Sequence, residues 1–340
     1  MRTIGQRPLR PIAPADPLQV PWVSSYYCSA KMKILIGCDV DPIAPAAHNS
    51  PSGRDIWRCI DHLERLIAAA NGRLPPITWL IRADESVRLR SGDFASGYTS
   101  RRPLWQIMAA NGHELGWHMH SMSYDARRGC FGFDPNPTWL TEAWQAISAC
   151  YPVRSIRTGW DYASNELFRQ FDDLGIAVDF SAIPGGLAWH SVGSEKFVVD
   201  WSRCGGIPYH PSPHDYQAPG TMNLLEIPLA QFPNSMFGMA GRLAKRLANG
   251  SRSLAGMRTV TRTMCDPWTA MPTSEGAVWA FYFHMRALAG AGLGHFLRNL
   301  ESLRNLPDVE FVTASVAREF LTRAAPANGH DVMRRANLTP

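Results

Sequence analysis

Short apolar runs alternate with stretches of helical spacing along this chain, and that alternation restricts the fold more than any other feature. Residues 32–38, 77–81, 112–118, 154–157 and 176–180 read as buried strands, each a short apolar run bounded by turn or polar residues. Between them, 53–70, 103–111, 138–150 and 165–174 carry apolar residues at helical spacing. Strands separated by helices of this length pair in parallel through crossovers. More than four such units in 340 residues predict a barrel before an open sheet. The second half is less regular. Strands are expected at 197–200, 224–227, 277–283 and 310–313, with a helix at 294–303.

In α/β barrels the chemistry sits at the C-terminal ends of the strands, so the polar residues there matter most. The first strand ends in Asp39-Val40-Asp41-Pro42. Two acids two apart share a face, although Asp-x-Asp-Pro is also a common turn. The third strand ends in His118-Met119-His120. Two imidazoles on one face can reach one metal ion, or can be two satisfied structural histidines. Two histidines and one carboxylate would hold a zinc-like divalent ion with an open position. His113 has the opposite parity and reads as structural. His62 reads as a helix-surface residue, and His48 as a spare ligand in the loop after the acids. Tyr209 and His210 lie in a Pro-stiffened loop, 208–215, suited to a substrate rim. Trp160 and Trp201 either stack on a sugar or pack in the core.

Composition removes several functions. With 34 Lys+Arg against 29 Asp+Glu the net charge is +5, too mild to indicate nucleic acid. Seven cysteines without a Cys-x-x-Cys pair indicate neither a disulfide framework nor a thiolate zinc site. No apolar run has the length of a membrane span, and no apolar signal core follows the N-terminal arginines. These features predict a cytoplasmic protein with reduced thiols. Residues 1–31 read as a loose arm, 32–324 as one barrel domain and 325–340 as a disordered tail. The segment 234–265 contains six basic residues and no acid. It is a solvated insertion, or, through 242–262, a surface for a phosphate-bearing or lipid-linked substrate at the inner face of the membrane.

Several motifs in order resemble those of the NodB-homology polysaccharide deacetylases, in particular the glycan-biosynthesis branch. They are Asp39-Val40-Asp41, Gly112-His113-Glu114-Leu115-Gly116-Trp117-His118, Ile156-Arg157-Thr158-Gly159-Trp160, Leu174-Gly175-Ile176-Ala177-Val178-Asp179-Phe180-Ser181 and Phe281-Tyr282-Phe283-His284. The resemblance spans about residues 33–320. It implies a distorted (β/α)7-type barrel and a metal-dependent hydrolase of non-peptide carbon–nitrogen bonds. By the same resemblance Asp39 is the general base, Asp41 and His118 are metal ligands, Arg157 orients the base and His284 is the general acid. The family places a second histidine ligand four residues after the first, where this chain has Met122. A thioether is a poor ligand for zinc, so His120 is the expected replacement, with Met122 and His48 as the alternatives. The implied reaction is removal of an N-acetyl group from an N-acetylated sugar, free, polymeric or lipid-linked. A related C–N hydrolase of a non-sugar substrate and an inactive carbohydrate-binding protein are the competing functions.

Overall fold

The computed structural model describes residues 32–42, 57–72, 74–230, 278–288 and 292–324. The N-terminal arm, His48, the basic segment 234–265 and the C-terminal tail lie outside the described residues.

Strand β1 (Met32–Val40) is apolar along nearly its whole length because both of its faces are covered, as a central parallel strand requires. A 3₁₀ turn (Arg58–Ile60) leads into α1 (Asp61–Ala70), so the described helix begins later than the spacing from residue 53 predicts. Next come β2 (Thr78–Arg82), α2 (Glu85–Ser91), α3 (Ser96–Thr99), α4 (Arg102–Ala110) and β3 (Glu114–Met119). A small antiparallel pair, β4 (Met122–Asp125) and β5 (Cys130–Phe133), precedes α5 (Leu140–Ser148) and β6 (Ser155–Thr158). Helix α6 (Asn165–Asp173) starts at Ser164, whose hydroxyl accepts from the Leu167 N–H. It buries Leu167, Phe168 and Phe171, each contributing about 1.5–3 kcal/mol by leaving water.

Strand β7 is only Val178–Asp179, shorter than the apolar run around it. Two antiparallel hairpins follow, β8 (Gly186–Val192) with β9 (Glu195–Trp201), and β10 (Pro211–Ser212) with β11 (Asp215–Pro219). The strand expected at 197–200 therefore belongs to a hairpin and not to the barrel. Its sequence carries the sign: Phe197, Val199 and Trp201 are buried in alternation, the period of a half-covered antiparallel strand. The described chain is completed by β12 (Leu225–Glu226), β13 (Val278–His284), α7 (Gly292–Arg304), β14 (Val309–Val312) and α8 (Ala314–Ala324).

The main sheet is parallel throughout and runs β12-β7-β6-β3-β2-β1-β13, with β14 beside the N-terminal half of β1. Past β12, Leu229 forms a parallel bridge with Ala280 of β13, and the Ala230 N–H donates to the Ala280 carbonyl. That bridge links the two ends of the curled seven-strand sheet, a distorted barrel. Gly37 on β1 is needed inside it, since a Cβ there would overlap the ring of Phe180, which fills the barrel. No described cysteine is in a disulfide. No helix among the described residues is long and apolar enough to cross a membrane.

Candidate active site

Three neighbouring strands end in the same pattern, a polar pair two residues apart, the first on the strand and the second just after it: Asp39 and Asp41 at β1, Arg82 and Asp84 at β2, His118 and His120 at β3. Parallel register sets these pairs side by side. Asp39 lies opposite His284 of β13, Arg82 opposite His118, and His118 opposite Arg157 of β6.

Asp41, His118 and His120 converge. The two Nε2 atoms are 3.1 Å apart, and Asp41 Oδ1 is 3.5 Å from that of His118 and 3.7 Å from that of His120. The group could hold a metal ion. Its edges bracket the value of about 3.3 Å that a tetrahedral ion with bonds of about 2.0–2.1 Å requires. The protonation states suit ligation. His118 Nδ1 donates to the Arg157 carbonyl at 2.8 Å, which leaves the Nε2 lone pair facing the group. Burial, reinforced by the Arg82 charge, lowers the His120 pKa to about 4, so its ring is neutral. Burial alone would raise Asp41, but the His120 and His284 imidazoles, with His118 and Arg82, hold it well below the usual carboxylate range. Around the group, Asp41 and Asp84 pair with Arg82, and Asp39 and Asp161 pair with Arg157.

His120 is wedged into place. Its ring meets Trp160 edge-on at 4.2 Å and His118 at 4.9 Å. Its backbone N–H donates to Asp84 Oδ2 at 3.3 Å, the oxygen that also accepts from Arg82 Nε at 2.6 Å. Residue 159 must be glycine here, because a Cβ would overlap the His120 ring. The turn continues with positive φ at Trp160 (58°) and Asp161 (59°). A left-handed tryptophan is strained, and such strain concentrates at functional sites. Met122 does not join the group; its sulfur accepts from Arg82 Nη2 at 3.6 Å.

Beside the metal-type group stands Asp39, fully buried, with Oδ2 bonded to Arg157 Nη1. Its Oδ1 has no hydrogen-bond partner among the described residues. Arg157 also bonds Asp161 and lies 3.8 Å from the Tyr282 ring centre. Burial opposes its charge, but Asp39 and Asp161 keep it firmly protonated. His284 is 28% exposed, and its Nδ1 lies 3.5 Å from both Asp39 Oδ2 and Asp41 Oδ2, outside hydrogen-bonding geometry. On the adjacent strands β7 and β12, Asp179 and Glu226 are paired in register and fully buried. Burial raises both, Asp179 to about 6.

These residues line a cavity of about 610 Å³, within the usual size of a small-molecule site. Asp39, Asp41, His118, His120, Arg157, Trp160 and His284 all border it. Trp201, Tyr209 and His210 are not among its lining residues. Trp201 is buried with Nε1 on the Asp161 carbonyl, Tyr209 bonds the Tyr216 carbonyl, and His210 Nδ1 bonds the Leu224 carbonyl. His113 is structural, as its parity predicts: Nδ1 accepts from the Ile77 N–H at 3.1 Å, and burial lowers its pKa to about 4.

No protein-family model matches the chain, and no curated protein matches it in sequence. Among solved structures it is similar to a presumed polysaccharide deacetylase from Mycobacterium smegmatis, with 14% identity, 93% of this chain and 96% of that one covered, and a TM-score of 0.49. A presumed glycoside hydrolase/deacetylase from Parabacteroides distasonis also has 14% identity and a TM-score of 0.49, over 89% and 73% of the two chains. A presumed polysaccharide deacetylase involved in O-antigen biosynthesis from Bordetella bronchiseptica has 14% identity and a TM-score of 0.35, over 90% and 84%.

Sequence reasoning assigned no role to Arg82 or Asp84, yet both touch the metal-type group. Their spacing was the available signal, since Arg-x-Asp at a strand end repeats the Asp-x-Asp and His-x-His pattern of the neighbouring strands. Phe131 and His190, which border the cavity from β5 and β8, carry no comparable mark in the sequence.

Proposed function

We propose that this chain is a metal-dependent N-deacetylase of an N-acetylated sugar. The observation that carries the reading is the convergence of Asp41, His118 and His120 beside the Arg157–Asp39 pair and His284, all at the C-terminal strand ends. Asp41, His118 and His120 would hold the ion. A bound divalent cation supplies Lewis acidity at the acyl group and makes water more acidic.

The chain's own residues divide the proton transfers. Asp39 takes a proton from the attacking water as the water oxygen bonds to the acyl carbon. Its Oδ1 is the oxygen available for this, because Oδ2 is held by Arg157, which fixes the carboxylate's orientation. His284 gives a proton to the nitrogen as the carbon–nitrogen bond breaks, yielding acetate and the free amine. Two carboxylates flank its Nδ1, so Nε2 is the nitrogen that meets the leaving group. Trp160, Phe131 and His190 also border the cavity, and aromatic rings of this kind suit a sugar face.

The test is acetate release by the zinc-loaded protein across N-acetylated monosaccharides, nucleotide sugars and lipid-linked glycans. Release from at least one of them, abolished by a chelator and restored by metal, is expected. No release from any of them, by protein carrying one metal per chain, would sink the sugar assignment.

A further inference from the structure

The cavity holds four arginines, and they fall into two kinds. Arg82 and Arg157 each pair with two carboxylates. Arg90 and Arg286 border the same cavity, are solvent-exposed, and have no carboxylate partner among the described residues. They approach from opposite sides. Arg90 is on α2, after β2, and Arg286 is in the turn (Met285–Leu288) after β13. β2 and β13 are the strands beside the C-terminal half of β1, so these arginines flank the Asp39–Asp41 strand end.

Charge balance separates the two kinds further. The Arg82 and Arg157 guanidiniums are both held against carboxylates. The rim, by contrast, carries two cations without a carboxylate partner among the described residues. Burial and the nearby Arg82 charge already act against the Arg90 cation, lowering its pKa. A rim of this kind attracts an anion along the path to the reacting group, and guanidinium is the side chain whose fork matches carboxylate and phosphate oxygens.

We infer that Arg90 and Arg286 form an anion subsite, and that the substrate carries a carboxylate or phosphate on, or next to, the sugar bearing the acyl amide. This rests on the deacetylase reading and narrows it to acidic substrates. Helix α2 ends in Arg88 and Arg90, where cations also favour the helix dipole. That placement explains a basic residue on α2 but not a second one at the same cavity on the far side of β1.

The experiment compares three matched probes with the zinc-loaded full chain: N-acetylglucosamine, its 1-phosphate and its 6-carboxylate. The subsite predicts kcat/KM at least about tenfold higher for one charged probe than for the neutral sugar, the size of one charge-assisted contact. Preference for the phosphate or for the carboxylate identifies the source of the anion. In R90Q/R286Q the ratio should fall to near one, chiefly through KM, and R90K/R286K should keep part of it. Circular dichroism controls for folding. Calorimetric binding of the two charged probes is measured in parallel. Binding that is lost in R90Q/R286Q, without acetate release from any probe, upholds the subsite and removes the deacetylase reading. Equal kcat/KM on charged and neutral probes, a preference that survives in R90Q/R286Q, or equal binding by wild type and R90Q/R286Q would overturn the subsite.

Discussion

Replacing Gly159 by alanine adds one methyl group and no charge, yet it should disable the metal centre. The new Cβ would fall inside contact distance of Cδ2, Cγ and Nε2 of His120. Carbon atoms settle at about 3.5–4.0 Å, so the ring must retreat by roughly 1 Å. Trp160 at 4.2 Å and His118 at 4.9 Å confine it. Metal ligands tolerate displacements of about 0.2 Å. Disturbing the groups that merely orient a ligand costs about 10- to 100-fold in affinity, and a displaced ligand should reach at least the upper figure. Overpacking should also cost about 1–3 kcal/mol of stability. Zinc affinity is measured by competition with a chromophoric chelator, and stability by urea unfolding without metal. The double variant G159A/H120A separates the two effects, since removing the imidazole relieves the clash without restoring a ligand. It should regain stability and remain weak for zinc. A Gly159→Ala protein that is destabilised but binds zinc as tightly as the wild type would refute the placement of His120 in the ligand set.

Two further outcomes follow from neighbouring groups. Asp39→Asn and His284→Ala should retain metal and each lose about a hundred- to ten-thousand-fold in turnover. On an ester analogue, whose alcohol needs less protonation to leave, only His284→Ala should recover. Equal losses on ester and amide, with a lowered melting temperature, would make His284 a packing residue. His113 tests burial in the barrel wall. Its pKa of about 4 lies below the ordinary histidine value of about 6.5, so the unfolded chain binds the extra proton first. Stability should therefore fall as pH drops from about 6.5 to about 4, by up to about 3 kcal/mol from this residue alone. In His113→Asn that part of the pH dependence should vanish in urea titrations, and an unchanged slope would contradict the burial.

Most of the barrel was legible because parallel strands covered on both faces are short continuous apolar runs, as at 32–38 and 77–81. The residues at their ends could then be read as one cluster, since parallel strands all deliver their C-termini to the same rim. Asp39, Asp41, His118, His120, Arg157 and His284 border one cavity for that reason. The strand expected at 197–200 is present within β9, but its hairpin partner β8 was not foreseen, because alternation and not a continuous apolar run marks this pair. Trp201, Tyr209 and His210 were chosen for their side-chain chemistry. Their positions depend on loop hydrogen bonds to Asp161, Tyr216 and Leu224, which no local spacing encodes. Gly159 illustrates the same limit, because its requirement comes from a ring thirty-nine positions earlier in the chain.

Metal content tests the central claim most directly. Elemental analysis of the purified chain and of its Asp41→Asn, His118→Ala, His120→Ala and Met122→Ala proteins should find about one zinc-like divalent ion per chain in the wild type. It should be lost in the first three variants and retained with Met122→Ala. Full metal in His120→Ala, together with its loss in Met122→Ala or His48→Ala, would contradict the ligand set on which the proposed chemistry stands.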